Sequence, residues 1–302
     1  MNGISLLIPT YNDRCLQLAR DLWSQAKGLS VPFELLVGDD GSTDKSVVAD
    51  NRRINSLSGC RYIERPLNEG RAAVRNFLAR EARFDTLVFV DAGRGVARDT
   101  FLAEYARLLS QHRMFFYGGY VMQRHSRANL RSVYEDARAP RHAAQCRSLH
   151  PYLDFNTCNF ACPRDLFLRY PLDERFRHYG FEDVLYGKRL HAAGVKICHV
   201  DNPVALVGFD SNAHFVAKWE EALATLCQFQ DELRGYSRML ATTDNLGRFR
   251  LLPLVRLWHR MFASLERRQL LGTRPSLLVF ELYRLGYFAC LLSGGRGGRS
   301  AS

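Results

Sequence analysis

Thr86-Leu87-Val88-Phe89-Val90-Asp91-Ala92-Gly93-Arg94-Gly95 is the stretch around which the chain organises. Four consecutive apolar residues, three of them β-branched or aromatic, predict a strand covered on both faces. That pattern belongs to a parallel sheet flanked by helices. In open sheets of this kind ligands sit beyond the carboxyl ends of the strands, so Asp91 stands where a ligand would be. Ala92 and Gly93 leave room for its close approach. Taken alone, Asp91 reads first as a turn residue closing a core strand.

Working outward, the same βα rhythm recurs. Ile4–Ile8 is a strand that runs into Pro9-Thr10-Tyr11-Asn12 and then an amphipathic helix bearing Leu16, Ala19, Leu22, Trp23 and Ala26. Phe33–Val37 is the second strand, ending in Gly38-Asp39-Asp40-Gly41-Ser42-Thr43-Asp44. Ser42 or Thr43 is the expected cap of the next helix, with Asp44 favouring its positive end. Asp39 and Asp40 are then left facing the loop, and capping does not explain two adjacent acids there. Arg61–Ile63 is a short third strand, followed by Asn68-Glu69-Gly70-Arg71 opening a helix. Arg71 and Arg75 share a face of that helix; they read as solvated charges or as phosphate contacts, since guanidinium and helix N-terminus both favour anions.

Beyond the opening stretch, Phe101–Leu109 predicts a helix and Met114–Tyr120 a strand. From Gln123 to Pro151 periodicity fails while arginines and histidines accumulate, which predicts a basic loop excursion. Phe155–Cys162 reads as a strand re-entering the core with the amides Asn156 and Asn159, which need partners there. Tyr179-Gly180-Phe181 leads into Glu182-Asp183 in the first turn of a helix that ends at Gly194. The aromatic, glycine-bearing lead-in suits the floor of a sugar site. Val195–Val200 is expected as the last strand, and a helix follows from Ser211 or Asn212 through Leu233.

With 302 residues, 47% of them hydrophobic, the chain can bury a large α/β core. The expected organisation is residues 1–235 as the α/β domain, 236–293 as a basic amphipathic helical region and 294–302 as a disordered tail. The eight cysteines form no CxxC pair, so they read as reduced core residues. No signal-peptide pattern opens the sequence, and the expected compartment is the cytoplasm.

The net charge of +11 is uneven: from Arg248 to Ser302 ten arginines face only Glu266 and Glu281. By charge alone the tail's partner is an anionic surface, membrane or nucleic acid. Leu251, Leu254, Val255, Trp258, Met261, Phe262 and Leu265 make one apolar helical face with Arg250, Arg256, Arg260 and Arg267 largely off it. The apolar run Leu277–Leu292 is shorter than the ~20 residues that span a bilayer. These features fit a peripheral membrane contact, and helices packed on the domain or in a homodimer share the pattern.

Taken together, the motifs resemble the inverting family 2 glycosyltransferases with the GT-A fold, over Ile4 to about Lys218. Ile8–Asn12 looks like the family's opening loop and Asp39–Asp44 like its nucleotide-binding acidic loop. Asn68–Arg71 with Arg75 and Asn76 is similar to the segment approaching the nucleotide sugar, and Gly180–Asp183 to the acidic motif that supplies the base. The resemblance implies a mostly parallel sheet with a helical C-terminal appendage, a UDP-sugar donor, a glycan or lipid-linked glycan acceptor, and no nucleic-acid partner. It implies Asp183 as general base with Glu182 assisting. It places Pro9, Thr10, Tyr11, Asn12, Asp39, Asp40, Asn68, Gly70, Arg71, Arg75 and Ala92 at the donor, and Asn159, Tyr179, Gly180 and Phe181 at the acceptor.

It further implies a divalent cation, Mg²⁺ or Mn²⁺, at Asp91. Here the chain departs from the family, whose triplet carries a second aspartate where Gly93 stands, and whose histidine after the last strand is missing from Val204–Gly208. A metal bound by Asp91 and the diphosphate is expected to be weakly held or dispensable. Two other readings follow from the same residues. One is a relative that binds nucleotide sugars or partner transferases without catalysis, motivated by Gly93. The other, a nucleotidyltransferase, needs a glycine-rich phosphate loop that Pro9–Asn12 does not offer.

Overall fold

A computed structural model describes residues 2–123 and 125–294. The expected tail falls, from residue 295 onward, outside the described residues. The strands are β1 (Ile4–Thr10), β2 (Phe33–Asp39), β3 (Cys60–Glu64), β4 (Thr86–Val90), β5 (Arg94–Val96), β6 (Phe115–Tyr117), β7 (Tyr120–Met122), β8 (Asn159–Pro163), β9 (Ile197–His199) and β10 (Val204–Leu206). The helices are α1 (Leu16–Lys27), α2 (Lys45–Asn51), α3 (Arg71–Glu81), α4 (Phe101–Gln111), α5 (Leu130–Arg138), α6 (Ala144–Arg147), α7 (Arg164–Arg169), α8 (Glu182–Ala192), α9 (Asn212–Gln228), α10 (Gln230–Leu233), α11 (Arg238–Arg248), α12 (Leu252–Leu271) and α13 (Leu277–Gly294). The chain divides into two units, each discontinuous in sequence. The first holds Met1–Gln123, Ala139–Arg177 and Tyr186–Gly208; the second holds Arg124–Arg138, His178–Leu185 and Phe209–Ser302.

In the first unit a seven-stranded sheet runs β3-β2-β1-β4-β8-β6-β9. β1, β2, β3 and β4 are parallel, in register Ile4↔Phe33 and Ile4↔Thr86, while β8 runs antiparallel between β4 and β6. Every residue of β1 and β4 is buried, as a strand covered on both faces requires. Period-two alternation sorts the side chains. Ile4, Leu6, Ile8, Val88 and Val90 join α1 and α4 on one face, and Leu7, Leu87 and Phe89 join Val74 and Leu78 of α3 on the other. Each such side chain contributes roughly 1.5–3 kcal/mol on burial.

Strand order reverses at β1, with β2 on one side and β4 on the other. A doubly wound sheet opens its ligand crevice at such a switch point, beyond the carboxyl ends of the two strands. Here those ends deliver Thr10–Asn12 and Asp91–Gly93.

Several local expectations change. The segment Met114–Tyr120 is two strands, because the chain breaks at Gly118. A Cβ there would stand 2.6 Å from the Asn159 amide nitrogen and 2.5 Å from the Tyr105 hydroxyl, so only glycine lets β6 leave the sheet at this point. β9 is not the last strand: β10 follows and pairs with β5 and β7 in a small second sheet. The basic stretch expected as loop contains α5 and α6. α2 is capped by Asp44, whose carboxylate accepts from the Ser46 and Val47 amides, rather than by Ser42 or Thr43. All eight cysteines are free, but Cys146 is exposed rather than in the core.

The second unit is helical. Leu130 and Tyr134 of α5, Phe215 and Val216 of α9, Leu270 of α12, and Phe280 and Tyr283 of α13 form its core. The Arg284 guanidinium lies 3.6 Å from the Trp219 ring centre, a buried cation–π contact that ties α13 to α9.

Candidate functional site

Four segments, those following β1, β2, β3 and β4, converge at the β1/β4 crevice of the first unit. The loop after β1 is pinned to the loop after β2 by Asn12, which adopts a left-handed backbone at φ +53°. Its backbone N–H donates to Ser42 Oγ at 2.8 Å, and its side-chain oxygen accepts from the Thr43 and Asp44 amides at 2.9 Å each. Thr10 Oγ1 donates to the Asp13 carbonyl at 3.0 Å, and Tyr11 is exposed beside them. Pro9 and Thr10 lie in register with Gly38 and Asp39.

Both acids of the β2 loop are buried, not turned toward open loop. Asp39 accepts from the Ser42 amide at 2.7 Å and from the Tyr62 hydroxyl. Asp40 pairs with Arg65 and accepts from the Gly70 amide at 2.7 Å. Burial pushes the Asp40 carboxyl above its ordinary range, against the opposing pull of Gly70 and Arg65. Tyr62 and Arg65 escaped the sequence reading, because nothing in a short third strand signals which acid its side chains will meet.

The Asp40–Gly70 bond delivers the start of α3 to the crevice. Gly70 has φ +100°, and a Cβ there would lie 2.9 Å from the Arg177 Cα, so the turn into α3 requires glycine. Asn68 Oδ1 accepts from the same Gly70 amide at 3.1 Å. Asn76, further along α3, braces the helix by exchanging hydrogen bonds with the Leu172 backbone at 2.9 and 3.0 Å.

Asp91 sits against the first turns of α3. Its amide donates to the Cys158 carbonyl at 3.0 Å, and the Arg94 amide donates to its carbonyl at 3.1 Å, closing a turn over the buried Ala92. Arg75, only 1% exposed, pairs with Oδ1, while Arg71 reaches Oδ2 at 3.4 Å. The Arg71 side chain is 42% exposed, so its guanidinium also meets solvent. Arg94 packs over the Tyr120 ring at 4.7 Å. Burial works to raise the Asp91 carboxyl, and the guanidiniums of Arg75, Arg71 and Arg94 outweigh it, holding the group below the usual carboxylate range.

This donor set does not fit a resident divalent ion. Mg²⁺ and Mn²⁺ need oxygen lone pairs that are free to coordinate. Both Asp91 oxygens already accept from guanidinium groups, and three fixed cations surround one carboxylate. Gly93 adds no ligand; a Cβ there would have the Asp13 carboxylate 3.8 Å away, an acid far from Asp91 in sequence. Among the described residues no group of three or more His, Cys, Asp or Glu side chains is placed to hold a metal.

Asn159, expected to meet acceptor hydroxyls, is a core residue of this unit. Its Oδ1 accepts from Tyr105 Oη at 2.8 Å, and its Nδ2 donates to the Gly119 and Asn202 carbonyls at 2.7 and 2.9 Å. The amide is satisfied within the fold, holding β6, β8 and the β9–β10 connection together.

The acidic motif belongs to the second unit. Tyr179 is held by its backbone: its N–H donates to Glu221 at 3.0 Å and its carbonyl accepts from Thr225 Oγ1 at 3.0 Å. Gly180 at φ +99° lies against Ala222, and Phe181 is left-handed at φ +67°. A bulky residue in that region is strained, by about 1–3 kcal/mol, and such strain clusters at functional sites. The turn starts α8, where Glu182 is 5% exposed and Asp183 is only partly buried. Of the two acids, Asp183 is the one solvent reaches, with Oδ1 accepting from the Val184 amide at 2.8 Å.

Solved structures share this architecture. A mannosyltransferase from Pyrobaculum calidifontis, PcManGT, solved with GDP-Man and Mn²⁺, matches with a TM-score of 0.54 at 14% identity over 98% of this chain and 87% of that one. S. aureus TarS 1–349 in complex with UDP matches at 0.51 and 15% identity, over 99% and 93%. At such identities the likeness shows the fold, which is GT-A. An uncharacterized glycosyltransferase of Haemophilus influenzae is 32% identical over 118 residues, covering 39% of this chain and 47% of its own length. The validoxylamine A glucosyltransferase of Streptomyces hygroscopicus subsp. limoneus is 30% identical over 224 residues, 64% and 48% of the two chains. The chain spans about half the length of these curated relatives. The family model described as glycosyl transferase family 2 matches residues 5–170, and the chain belongs to that family.

Proposed function

We propose that the chain transfers a hexose or hexosamine from a nucleoside-diphosphate sugar, with UDP as the nucleotide, to a hydroxyl of a glycan or lipid-linked glycan, inverting the anomeric centre. The observation that carries the donor half is the convergence of the Thr10–Asn12 loop, Asp39, Asp40, the Asn68–Arg71 turn and Asp91 at the sheet's switch point. Relatives support the class: TarS was solved with UDP, PcManGT with GDP-Man, and the Streptomyces relative is named a glucosyltransferase.

In the proposed reaction the acceptor oxygen attacks the anomeric carbon as its proton passes to Asp183. The bond from that carbon to the diphosphate oxygen breaks, and the nucleoside diphosphate leaves with the electron pair. Glu182, being buried, serves to position the turn rather than to take the proton. The exposed guanidinium of Arg71, the neighbouring Arg94 and the N-terminus of α3 meet the charge that develops on the leaving group. Asp91 orients that cluster through its bonds to Arg71 and Arg75.

The test is mass-spectrometric product detection and nucleotide release over a panel of UDP- and GDP-sugars with hydroxyl acceptors. Asp183→Asn is expected to lower turnover by about 10²–10⁴-fold. Unchanged turnover in that variant would remove Asp183 as the base. UDP binding without nucleotide release from any donor would support a nonenzymatic binding role, the reading that Gly93 favours.

A further inference from the structure

Among the described residues, α12 of the second unit leaves its longest apolar stripe exposed. Leu254, Leu257, Trp258, Met261 and Leu265 of α12 recur at i, i+3, i+4, i+7 and i+11, one continuous stripe about 16 Å long. All five are between 48% and 62% exposed. The side that α12 buries is mixed: His259, Glu266 and Leu270 are buried, with Val255, Phe262 and Ala263 partly so. His259 Nδ1 lies 3.4 Å from Glu266 Oε2, and Gly286 of α13 packs directly on the His259 side chain. Trp258 Nε1 donates to Glu266 Oε1 at 2.8 Å, which fixes its ring at the edge of the stripe. A surface helix in water hides such a stripe. The two buried ionisable groups rule out turning α12 over as a simple repair.

Charge around the stripe selects what covers it. Arg248, Arg250, Arg260, Arg268 and Arg274 are exposed in and beside α12. The only acids between Arg248 and Gly294 are Glu266, which is buried, and Glu281, which is ion-paired to Arg284 at 3.0 Å. A second copy of this surface would bring like charges together. An anionic bilayer satisfies both features, taking the leucines into its acyl boundary and the arginines at its headgroups, with tryptophan at the interface. α13, long and apolar enough by length and composition to cross a membrane, packs on α9 and α12 through Phe280, Tyr283 and Arg284. We propose that the α12 stripe is a docking face for an anionic lipid bilayer, engaged in the plane of the membrane.

The test is co-sedimentation of the full chain with vesicles of phosphatidylcholine alone and with phosphatidylglycerol added. Binding is expected only to the anionic vesicles and is expected to weaken as salt rises. Replacing Leu254, Leu257, Met261 and Leu265 together by serine is expected to lower the partition coefficient about 100-fold or more. R260Q/R268Q is expected to lower it about 10-fold or more on anionic vesicles. Circular dichroism checks that each variant keeps its fold, which polar replacements at exposed positions do not threaten. Equal binding of wild type and the serine variant overturns the proposal. So does failure of the wild type to bind anionic vesicles, whether it stays monomeric or forms a dimer that the serine variant dissociates; the dimer would show that a second copy covers the stripe.

Discussion

Arg75→Met is expected to destabilise the first unit by about 3 kcal/mol. The substitution preserves length and apolar volume while removing a buried charge that pairs with Asp91. Breaking one partner of a buried pair costs roughly 3–5 kcal/mol, because the other charge is left without compensation. The lower end applies here, since the Asp91 side chain is 15% exposed and keeps Arg71 at 3.4 Å. The assay is urea unfolding followed by circular dichroism, run on the single variants and on Arg75→Met/Asp91→Asn. The double variant neutralises both members of the pair and is expected to recover about 1–2 kcal/mol of the loss. The pH arm gives the sign. Asp91 is held below its ordinary value in the folded wild type, so its contribution is present above the unfolded carboxyl range and is lost as pH falls through the folded value. In Arg75→Met the largest guanidinium influence is gone and burial gains weight, so the acid-side loss of stability is expected to shrink. A single variant within about 1 kcal/mol of wild type, or a double variant no better than the single, would refute the paired arrangement at Asp91.

Other outcomes follow from the same geometry. On the proposed reading, in which guanidiniums rather than a metal meet the phosphates, UDP affinity measured by calorimetry is expected to change less than about threefold between EDTA and excess Mn²⁺. Gly93→Asp has space for its Cβ, with the Asp13 carboxylate 3.8 Å away, and is expected to create Mn²⁺ binding detectable by electron paramagnetic resonance; silence of that signal would show that Asp91 stays closed by its arginines. Gly70→Ala meets both a left-handed backbone and the Arg177 Cα at 2.9 Å, so thermal unfolding is expected to show a loss of about 1–3 kcal/mol along with weaker UDP binding.

Much of the α/β frame was legible because its long strands announce themselves. β1 and β4 are buried on both faces, and such strands must be continuously apolar whatever their partners are. Three-residue strands such as β5, β7 and β10 carry no readable period; they exist because the loops bearing them are brought side by side. The same holds for polar partners. Asp91 and Arg75 are 16 positions apart and meet because α3 packs on β1 and β2 beside the end of β4, which no local pattern encodes. Asn159 looked like a ligand amide in the sequence, since only the fold supplies the Tyr105, Gly119 and Asn202 partners that consume it.

By itself, the sequence determined the long parallel strands, the order of the nucleotide and acid motifs, the family they resemble and an apolar face on α12. Each depends on residues near one another in the chain, where period and turn chemistry act. Tertiary structure alone decided that both Asp91 oxygens are held by arginines, that Asp183 and not Glu182 is the accessible acid, and that the α12 stripe faces outward. Those properties depend on what packs against each side chain, which is set by long-range burial and charge rather than by neighbours in sequence.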